Sequence, residues 1–394
     1  MSEIRTHWRA IAVGFVMAFF AWGAIFYAHG VFKAALEAER GWSPVMLSNA
    51  QAWFWFCGAL SAFGVGWALD RWGARAVACY GAYATAIGVA GVGLSAEPWH
   101  LFLAYALLAT AYPPIGNLGI SAALAPLFDK RYGEALSYTL TGASAGGAVV
   151  TPVYIALVQA VGFAWASGIL AATTLLVLTP LLRWAPSRPQ RVRENDIEGD
   201  ATFARARASL VFWAIWLAGL LSFVGQVGFL FHEISILAPR MGLVAAGYAV
   251  SVTVIAAAFG RFALGYAARI APLGLVAAAF YLIQASGLAL MALFDGVAVS
   301  FLAAAIVGFV VGPVVMLPAM LIRGAFGGQG FGRMFGLASI GMFAGMTIGP
   351  GAAGYVAAAA GYGTALWAFA AMQTAAALVI ALGFRRGATS GSPG

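Results

Sequence analysis

Charged residues are scarce in this chain of 394 residues. Asp, Glu, Lys and Arg make up 9% of it, whereas hydrophobic residues make up 63%. A soluble domain carries roughly 25% charged residues, and no soluble fold can bury so large an apolar fraction. The composition therefore excludes a cytosolic enzyme, a secreted disulfide scaffold, a disordered protein and a nucleic-acid-binding module, although the formal net charge is +8.

Cysteine and histidine are also rare, with 2 and 4 copies. Cys57 and Cys79 fall within apolar segments and are too few for a disulfide framework. The histidines are scattered among different segments, which argues against a metal site. Because the sequence also contains no nucleotide-binding fingerprint and no catalytic triad, we expect neither a cofactor nor an enzyme.

Long apolar runs, in contrast, fill most of the chain. A membrane-spanning helix needs about 20 mostly apolar residues, and runs of this kind, bounded by Gly, Pro or charged residues, predict twelve helices. They cover 8–32, 45–69, 75–95, 99–127, 134–160, 163–183, 209–237, 244–268, 272–293, 297–322, 331–357 and 361–384. The only long polar stretch, 184–208, separates the sixth helix from the seventh.

Six helices, a polar linker and six more helices suggest an internal duplication. We therefore predict an all-α membrane protein with twelve transmembrane helices in two six-helix bundles related by pseudo-two-fold symmetry. The bundles are 1–183 and 209–394, and 184–208 is the cytoplasmic linker.

The distribution of Lys and Arg predicts the orientation, because cytoplasmic loops carry an excess of these residues. If both termini are cytoplasmic, only Lys33, Arg40 and Arg240 lie in outer segments, and Arg261 lies within a helix. The remaining 17 of the 21 cations lie in inner segments. We therefore expect a multi-pass protein of the cell inner (plasma) membrane with both termini in the cytoplasm.

The loop between the second and third predicted helices carries the most distinctive motif. Residues 66–75 read GWALDRWGAR, in which the glycines permit a tight turn and close helix approach. This loop resembles the G-x-x-x-D-R-x-G-x-R loop of the major facilitator superfamily. The resemblance implies that superfamily's fold and a conformational latch rather than a substrate site. The expected latch residues are Gly66, Asp70, Arg71, Gly73 and Arg75.

The second half carries a weaker copy of this loop. Residues 260–269 read GRFALGYAAR, so that Gly265 starts the loop but Arg269 stands in place of the acid. Pro272 takes the place of the following glycine. We therefore do not expect the two halves to gate symmetrically.

Three other stretches resemble the bacterial monocarboxylate and oxalate/formate transporter branch of the superfamily. They are LEAERGWS at 36–43, RYGEA at 131–135 with GASAGG at 142–147, and the intramembrane Gly260-Arg261 pair. The branch often has a second cation in helix 1 or helix 11, and an aspartate where this chain has Ala257. Because these residues are missing here, we expect neither dicarboxylate binding nor an Asp–Arg proton relay.

Arg261 is the sharpest candidate for substrate binding. It lies eight residues before Arg269 at the inner membrane edge, which places it about 12 Å deep, near the midplane of a core about 30 Å thick. An arginine there costs at least about 2.5–3.5 kcal/mol and stays charged, and its planar fork suits a carboxylate. We expect no acidic residue in the helix cores. The alternative is an arginine that snorkels inward or bonds to helix carbonyls.

Other candidates lie in helices 1, 4 and 7. His232 can carry a proton near physiological pH, although its position near the outer interface fits a solvated mouth residue equally well. Glu233 is expected to be a solvated or gate charge that can take part in proton coupling. Asn117 and Tyr112 can hydrogen-bond a carboxylate, or can instead join helices to one another. Tyr27 and Gln226 complete the candidate substrate-binding set.

These residues predict a secondary transporter that works by alternating access. It would move a small organic monocarboxylate similar to lactate or pyruvate with a proton carried on His232 or on the substrate. The expected partners are this anion, the proton and the lipid bilayer, without nucleic acid, and the expected state is a monomer. The alternatives are an anion exchanger, an exporter of another small organic solute such as a drug or metabolite, a membrane sensor, and a membrane-embedded enzyme.

Overall fold

The structure is a computed structural model that describes residues 3–185 and 192–389. Within these ranges, ten helical stretches are long and apolar enough to cross a membrane. Lipid offers no hydrogen-bond partner to the backbone, so a spanning segment must satisfy its own N–H and C=O groups, as a helix does. The predicted all-α membrane fold is therefore confirmed.

The chain divides into two compact units. The first comprises Met1–Ile197 together with Gly330–Ile340. Its helices, in chain order, are α1 (Glu3–Thr6), α2 (Trp8–Phe20), α3 (Ala28–Arg40), α4 (Pro44–Gly93), α5 (Pro98–Ile115), α6 (Asn117–Leu124), α7 (Tyr132–Val161) and α8 (Phe163–Leu181). A π-helix, Ala21–Phe26, joins α2 to α3.

The second unit comprises Glu198–Gln329 and Gly341–Gly394. The helices from the linker onward are α9 (Val192–Ala208), α10 (Leu210–Met241), α11 (Leu243–Ile270), α12 (Leu273–Leu293), α13 (Val297–Phe326) and α14 (Phe331–Thr389). Residues 186–191 of the predicted linker lie outside the described residues, and the rest of it from Val192 onward is α9.

Two of the ten membrane-length stretches, Asn49–Gly93 and Phe331–Arg385, are about twice as long as one span needs. Each contains one glycine with a backbone conformation that a helix does not allow. Gly73 has φ 83° and ψ 162°, and Gly361 has φ 80° and ψ 164°. Positive φ is accessible to glycine at little cost. Divided at these two positions, the stretches correspond to the twelve predicted spans.

The first and fourth predicted spans are interrupted rather than continuous. In the first, the N–H of Tyr27 bonds to the carbonyl of Trp22 five residues earlier, as in a π-helix. In the fourth, α5 ends at Ile115 after Pro113 and Pro114, which have no N–H to donate, and the chain turns at Gly116 before α6 begins. Such interruptions inside membrane proteins often occur at functional positions.

Candidate functional site

Arg261 lies in the interior of α11, in its second half, and is only 6% exposed. Its side chain packs against α13 at Gly312, where a β-carbon would lie 2.7 Å from Cγ and 3.0 Å from Nε of the arginine. The absence of a side chain at Gly312 therefore makes the room that the guanidinium stem occupies. This contact places a permanent positive charge inside the second unit.

Two buried glutamines end beside the same part of α13. The amide N–H of Gln226 donates to the carbonyl of Val311 at 3.4 Å, and Gln284 Nε2 donates to Gln226 Oε1 at 3.0 Å. Because a carbonyl only accepts, the Val311 carbonyl fixes the orientation of both amides. Val311 precedes Gly312, so Gln226 and Arg261 reach adjacent residues of one helix. Both candidates therefore contact the same turn of α13.

His232 lies on another face of α10 and is directed towards α14. Its Nε2 lies 3.1 Å from the carbonyl of Pro350, so Nε2 carries the proton and donates. Its Nδ1 lies 3.3 Å from the hydroxyl of Tyr362. A hydroxyl can donate to a neutral imidazole or accept from a charged one. Both protonation states of His232 are therefore satisfied.

Glu233 differs from the expectation. The sequence suggested a solvated or gate charge and no acid in a helix core, but this side chain is 2% exposed. The reason is the length of α10, which continues eight residues beyond Glu233 to Met241, or about 12 Å of helix. Thr253 Oγ1 of α11 lies 2.5 Å from Glu233 Oε1.

The candidates of the first unit lie in an aromatic cluster beside the π-helix. The ring of Tyr112 lies 5.6 Å from that of Trp22 and 6.0 Å from that of Trp55, centroid to centroid. Tyr27 follows the π-helix and stacks edgewise on Phe26 at 5.1 Å. The structure therefore brings Tyr112 and the π-helix together within one buried cluster.

Asn117 begins α6 at the interruption of the fourth span and is 9% exposed. Its Oδ1 accepts a hydrogen bond from Ser121 Oγ at 3.1 Å. Tyr112 lies one turn before the break at Gly116, and the Gly116 N–H bonds to the Tyr112 carbonyl at 2.7 Å. Tyr112 and Asn117 thus lie on opposite sides of one break.

The predicted latch loop makes its main contact through Asp70. This carboxylate accepts hydrogen bonds from the N–H groups of Gly332 and Arg333, both at 2.9 Å, and from Nε of Arg333 at 3.0 Å. A carboxylate at a helix N-terminus satisfies free N–H groups and interacts favourably with the helix dipole. The contact lies within the first unit, which includes Gly330–Ile340.

The remaining latch residues have separate roles. Gly66 lies against the carbonyl of Gly332, where a β-carbon would overlap it, and Gly73 makes the turn. Arg75 Nη2 donates to the carbonyls of Arg183 and Ala185, both at 2.7 Å. The exposed Arg71 lies over the ring of Trp67 at 5.4 Å. Asp70 and Gly66 therefore contact α14, and Arg75 binds the short segment that follows α8.

Comparison with known proteins identifies the family. Residues 11–329 match the family model described as Major Facilitator Superfamily. The chain belongs to the Major Facilitator Superfamily.

Two fungal relatives carry corresponding names. MFS-type transporter 1 of Ophiocordyceps sp. (strain BCC 1869) is 27% identical over 183 residues, which are 43% of this chain and 38% of the relative.

The second relative is MFS-type transporter dbaD of Emericella nidulans, 27% identical over 233 residues, which cover 57% of this chain and 50% of the relative. The chain thus spans half or less of the length of these curated relatives. Among solved structures, the E. coli fucose:proton symporter superposes with a TM-score of 0.77 at 15% identity, over 97% of this chain and 99% of that one. This likeness shows the fold.

As a member of the Major Facilitator Superfamily, the chain is a multi-pass membrane protein. Sequence reasoning did not single out Gln284 or Thr253, which are 0% and 1% exposed. A polar residue inside an otherwise apolar helix was the available signal. The sequence does not show which helix such a residue faces. The contacts of Gln284 with Gln226 and of Thr253 with Glu233 were therefore not predicted.

Proposed function

We propose that this transporter moves a small organic monocarboxylate, of the size of lactate or pyruvate, together with a proton by alternating access. The observation that supports this most is the burial of Arg261 at 6% exposure in the interior of α11. A guanidinium remains charged at any physiological pH, and its planar fork matches the two oxygens of a carboxylate. An anion that enters the second unit would meet it there.

The neighbours of Arg261 also favour a small polar anion. Gln226 and Gln284 bring amide groups to the same part of α13, and amides can bind a carboxylate or a substituent next to it. In the first unit, Tyr27, Tyr112 and Asn117 would contribute apolar surface and hydrogen-bonding groups. His232 and Glu233 would take part in proton coupling. One positive charge in the site suits a monocarboxylate better than a dicarboxylate.

We also propose an orientation of the protein in the membrane. The transporter would function as a monomer in the cell inner (plasma) membrane, with both termini in the cytoplasm. The Gly66–Arg75 loop would then be cytoplasmic, and its Asp70 contact with Gly332 and Arg333 would act as the latch. Symport of one proton with one carboxylate is electroneutral.

Ligand binding to the purified protein tests the role of Arg261. A ligand at about 100 times its dissociation constant stabilises the folded state by about 2.7 kcal/mol. We therefore expect lactate or pyruvate to raise the melting temperature of the wild-type protein and to leave that of Arg261→Gln unchanged.

Arg269→Gln is the matched control, because Arg269 ends the same helix and is exposed. This variant should respond to lactate like the wild type. A stabilised Arg261→Gln variant would remove the arginine from the carboxylate site. A wild type that no small monocarboxylate stabilises would contradict the proposed substrate class.

A further inference from the structure

Glu233 is buried on the face of α10 that packs into the hydrophobic core of the second unit. Its neighbours on the same face of α10, at spacings of three and four residues, are Phe229, Ile236 and Leu237, which are 0–2% exposed. Ala249 of α11 and Ala304 of α13 belong to the same core. A carboxylate in such surroundings has lost its hydration, so a buried carboxyl without a cation is stable only in its neutral form.

The contacts around Thr253 Oγ1 allow a proton to lie on Glu233. Thr253 Oγ1 lies 2.5 Å from Glu233 Oε1, 3.2 Å from the Ala249 carbonyl and 3.3 Å from the Ala304 carbonyl. A hydroxyl has one proton to donate, and carbonyls only accept. If the hydroxyl proton goes to either carbonyl, the short contact with Glu233 needs a proton on the glutamate.

The ionisable groups of α10 do not neutralise Glu233. The adjacent His232 bonds to Pro350 and Tyr362 of α14. Arg240, seven residues further along, lies 3.4 Å from the carboxylate of Asp295. Within the described part of the chain, neither of these side chains forms a hydrogen bond or ion pair with Glu233.

In the described parts of α11 and α13, no charged side chain forms a hydrogen bond or ion pair with Glu233. On α11, Arg261 lies eight residues deeper than Thr253, or about 12 Å, and Tyr248 is exposed. The only ionisable side chain of α13 is Arg323, near the opposite end of that helix from Ala304. Among the described residues, Thr253 is the hydrogen-bond partner of Glu233, and the core beside it is built of aliphatic and aromatic side chains.

We propose that Glu233 is a neutral carboxylic acid in this conformation, that it donates its proton to Thr253 Oγ1, and that release and return of this proton drive transport. Its assignment as the transported proton's site rests on the proposed function. Thr253 is the positioning residue, because its hydroxyl accepts from the acid and passes its own proton to a carbonyl. When Glu233 releases the proton to water, the hydroxyl can turn and donate to the resulting carboxylate.

The proton site and Arg261 share one helix pair. Thr253 packs on α13 at Gly308, where a β-carbon would lie 2.5 Å from the threonine Cα. Two turns deeper, Arg261 packs on Gly312 of the same helix. A carboxylate at Glu233 needs water, which can reach it only if α11 and α13 separate. The same separation would change the surroundings of Arg261, which links the proton to the anion.

Infrared spectroscopy of the purified protein in lipid tests the protonation directly and requires no substrate. We expect the carbonyl stretch of a neutral carboxylic acid at neutral pH in the wild type and its loss in Glu233→Gln. Thr253→Val removes the hydroxyl at nearly constant volume and should shift the band, whereas Thr253→Ser keeps the hydroxyl and should retain it. A wild-type spectrum without this band would overturn the proposal, as would a band that Thr253→Val leaves unmoved.

Transport by proteoliposomes tests the coupling. Glu233→Gln imitates the neutral acid and should keep lactate counterflow within about threefold of the wild type. It should lose the accumulation driven by a pH gradient, which for one proton is about tenfold per pH unit, and its uptake should no longer depend on pH. Thr253→Val should lose most of this accumulation and Thr253→Ser should keep it.

The coupling role is contradicted if Glu233→Gln accumulates lactate as the wild type does, or if it loses counterflow as well. Normal lactate accumulation by Thr253→Val would contradict the coupling role as well. This measurement does not depend on whether Glu233→Gln folds. The proposed function and the protonation of Glu233 are refuted by different results. Lack of lactate transport in the wild type refutes the proposed function, whereas the infrared band still decides the protonation of Glu233.

Discussion

At the scale of single residues, the second unit contains polar side chains that a membrane interior does not favour. Arg261, Gln226, Gln284 and Glu233 are all at most 6% exposed. Placing a charged or polar group in such an interior costs free energy, and in membrane proteins these groups commonly mark substrate or ion pathways. Here Gln226, which is bonded to Gln284, contacts the part of α13 that Arg261 also contacts. Glu233 lies nearer the C-terminal end of α10.

One added methyl group tests how closely α11 and α13 pack. A β-carbon on Gly260 would overlap the carbonyl of Phe309 on α13. Overpacking of a close contact costs about 1–3 kcal/mol, and a backbone atom cannot turn away as a side chain can. We therefore expect Gly260→Ala to lower the melting temperature and to reduce carboxylate binding at the neighbouring Arg261.

Gly351→Ala is the matched control, because no atom lies within 4 Å of a β-carbon built at Gly351. This variant should melt and bind as the wild type does. Equal melting temperatures for the two alanine variants would show that α11 and α13 do not pack as closely as described.

The sequence predicts Arg261 inside a helix, and the structure buries it in the interior of α11, whereas the expectation of a solvated Glu233 was wrong. The predicted depth of Arg261 in the membrane uses one helix and its charged end at Arg269, because rise per residue converts into depth. Glu233 was misplaced because the apolar run was thought to end at 237, whereas α10 continues to Met241. The role of Thr253 depends on its contact with Glu233, which lies on another helix. The hydrophobic periodicity of one helix does not show which residue of another helix its side chains contact.

At the scale of helices, the Asp70 contact joins the second span to the start of α14. The carboxylate accepts three hydrogen bonds, two from free N–H groups at the start of that helix. Hydrogen bonds to a charged group contribute about 1.5–3 kcal/mol each when they are intact. Asp70 and Arg333 have partly buried side chains, at 21% and 15% exposure, so water replaces these bonds only in part.

A double-mutant cycle measures this contact. We expect Asp70→Asn and Arg333→Gln each to lower the melting temperature and the transport rate. The double variant should lose less than the sum of the two single effects, because the same interaction is removed twice. Arg40→Ala is the control, since Arg40 is exposed and lies outside the latch loop, and it should change stability by less than about 0.5 kcal/mol. Additive effects of the two substitutions would show that the residues are not coupled.

Hydropathy predicted the number of spans but not their interruptions. Apolar runs of about 20 residues are sufficient to predict helices in lipid. The π-helix Ala21–Phe26 and the break at Gly116 depend instead on which carbonyl each backbone N–H bonds to, and hydropathy does not show this. Pro113 and Pro114 were a signal for the second interruption, whereas AWGAIF carries no comparable signal for the first.

At the scale of the whole molecule, the uneven distribution of cations predicts the topology. With 17 of 21 Lys and Arg residues in the predicted inner segments, the positive-inside rule predicts that both termini are cytoplasmic. Ala96 would then be outside and Lys130 inside, and both residues are exposed.

Cysteine labelling of intact cells tests this topology. In a variant without Cys57 and Cys79, a membrane-impermeant maleimide should label Ala96→Cys strongly. It should label Lys130→Cys only after the cells are permeabilised. The opposite pattern would mean that the orientation is reversed, and labelling of both in intact cells would contradict the assignment of spans between them.

Uptake of radiolabelled lactate by proteoliposomes under an inward proton gradient tests whether Arg261 binds the transported carboxylate. We expect the wild type to accumulate lactate above its external concentration, and a proton ionophore to abolish the accumulation. Arg261→Gln should reduce uptake to the level of empty liposomes, whereas Arg269→Gln should retain it. If Arg261→Gln accumulates lactate as the wild type does, Arg261 does not bind the carboxylate.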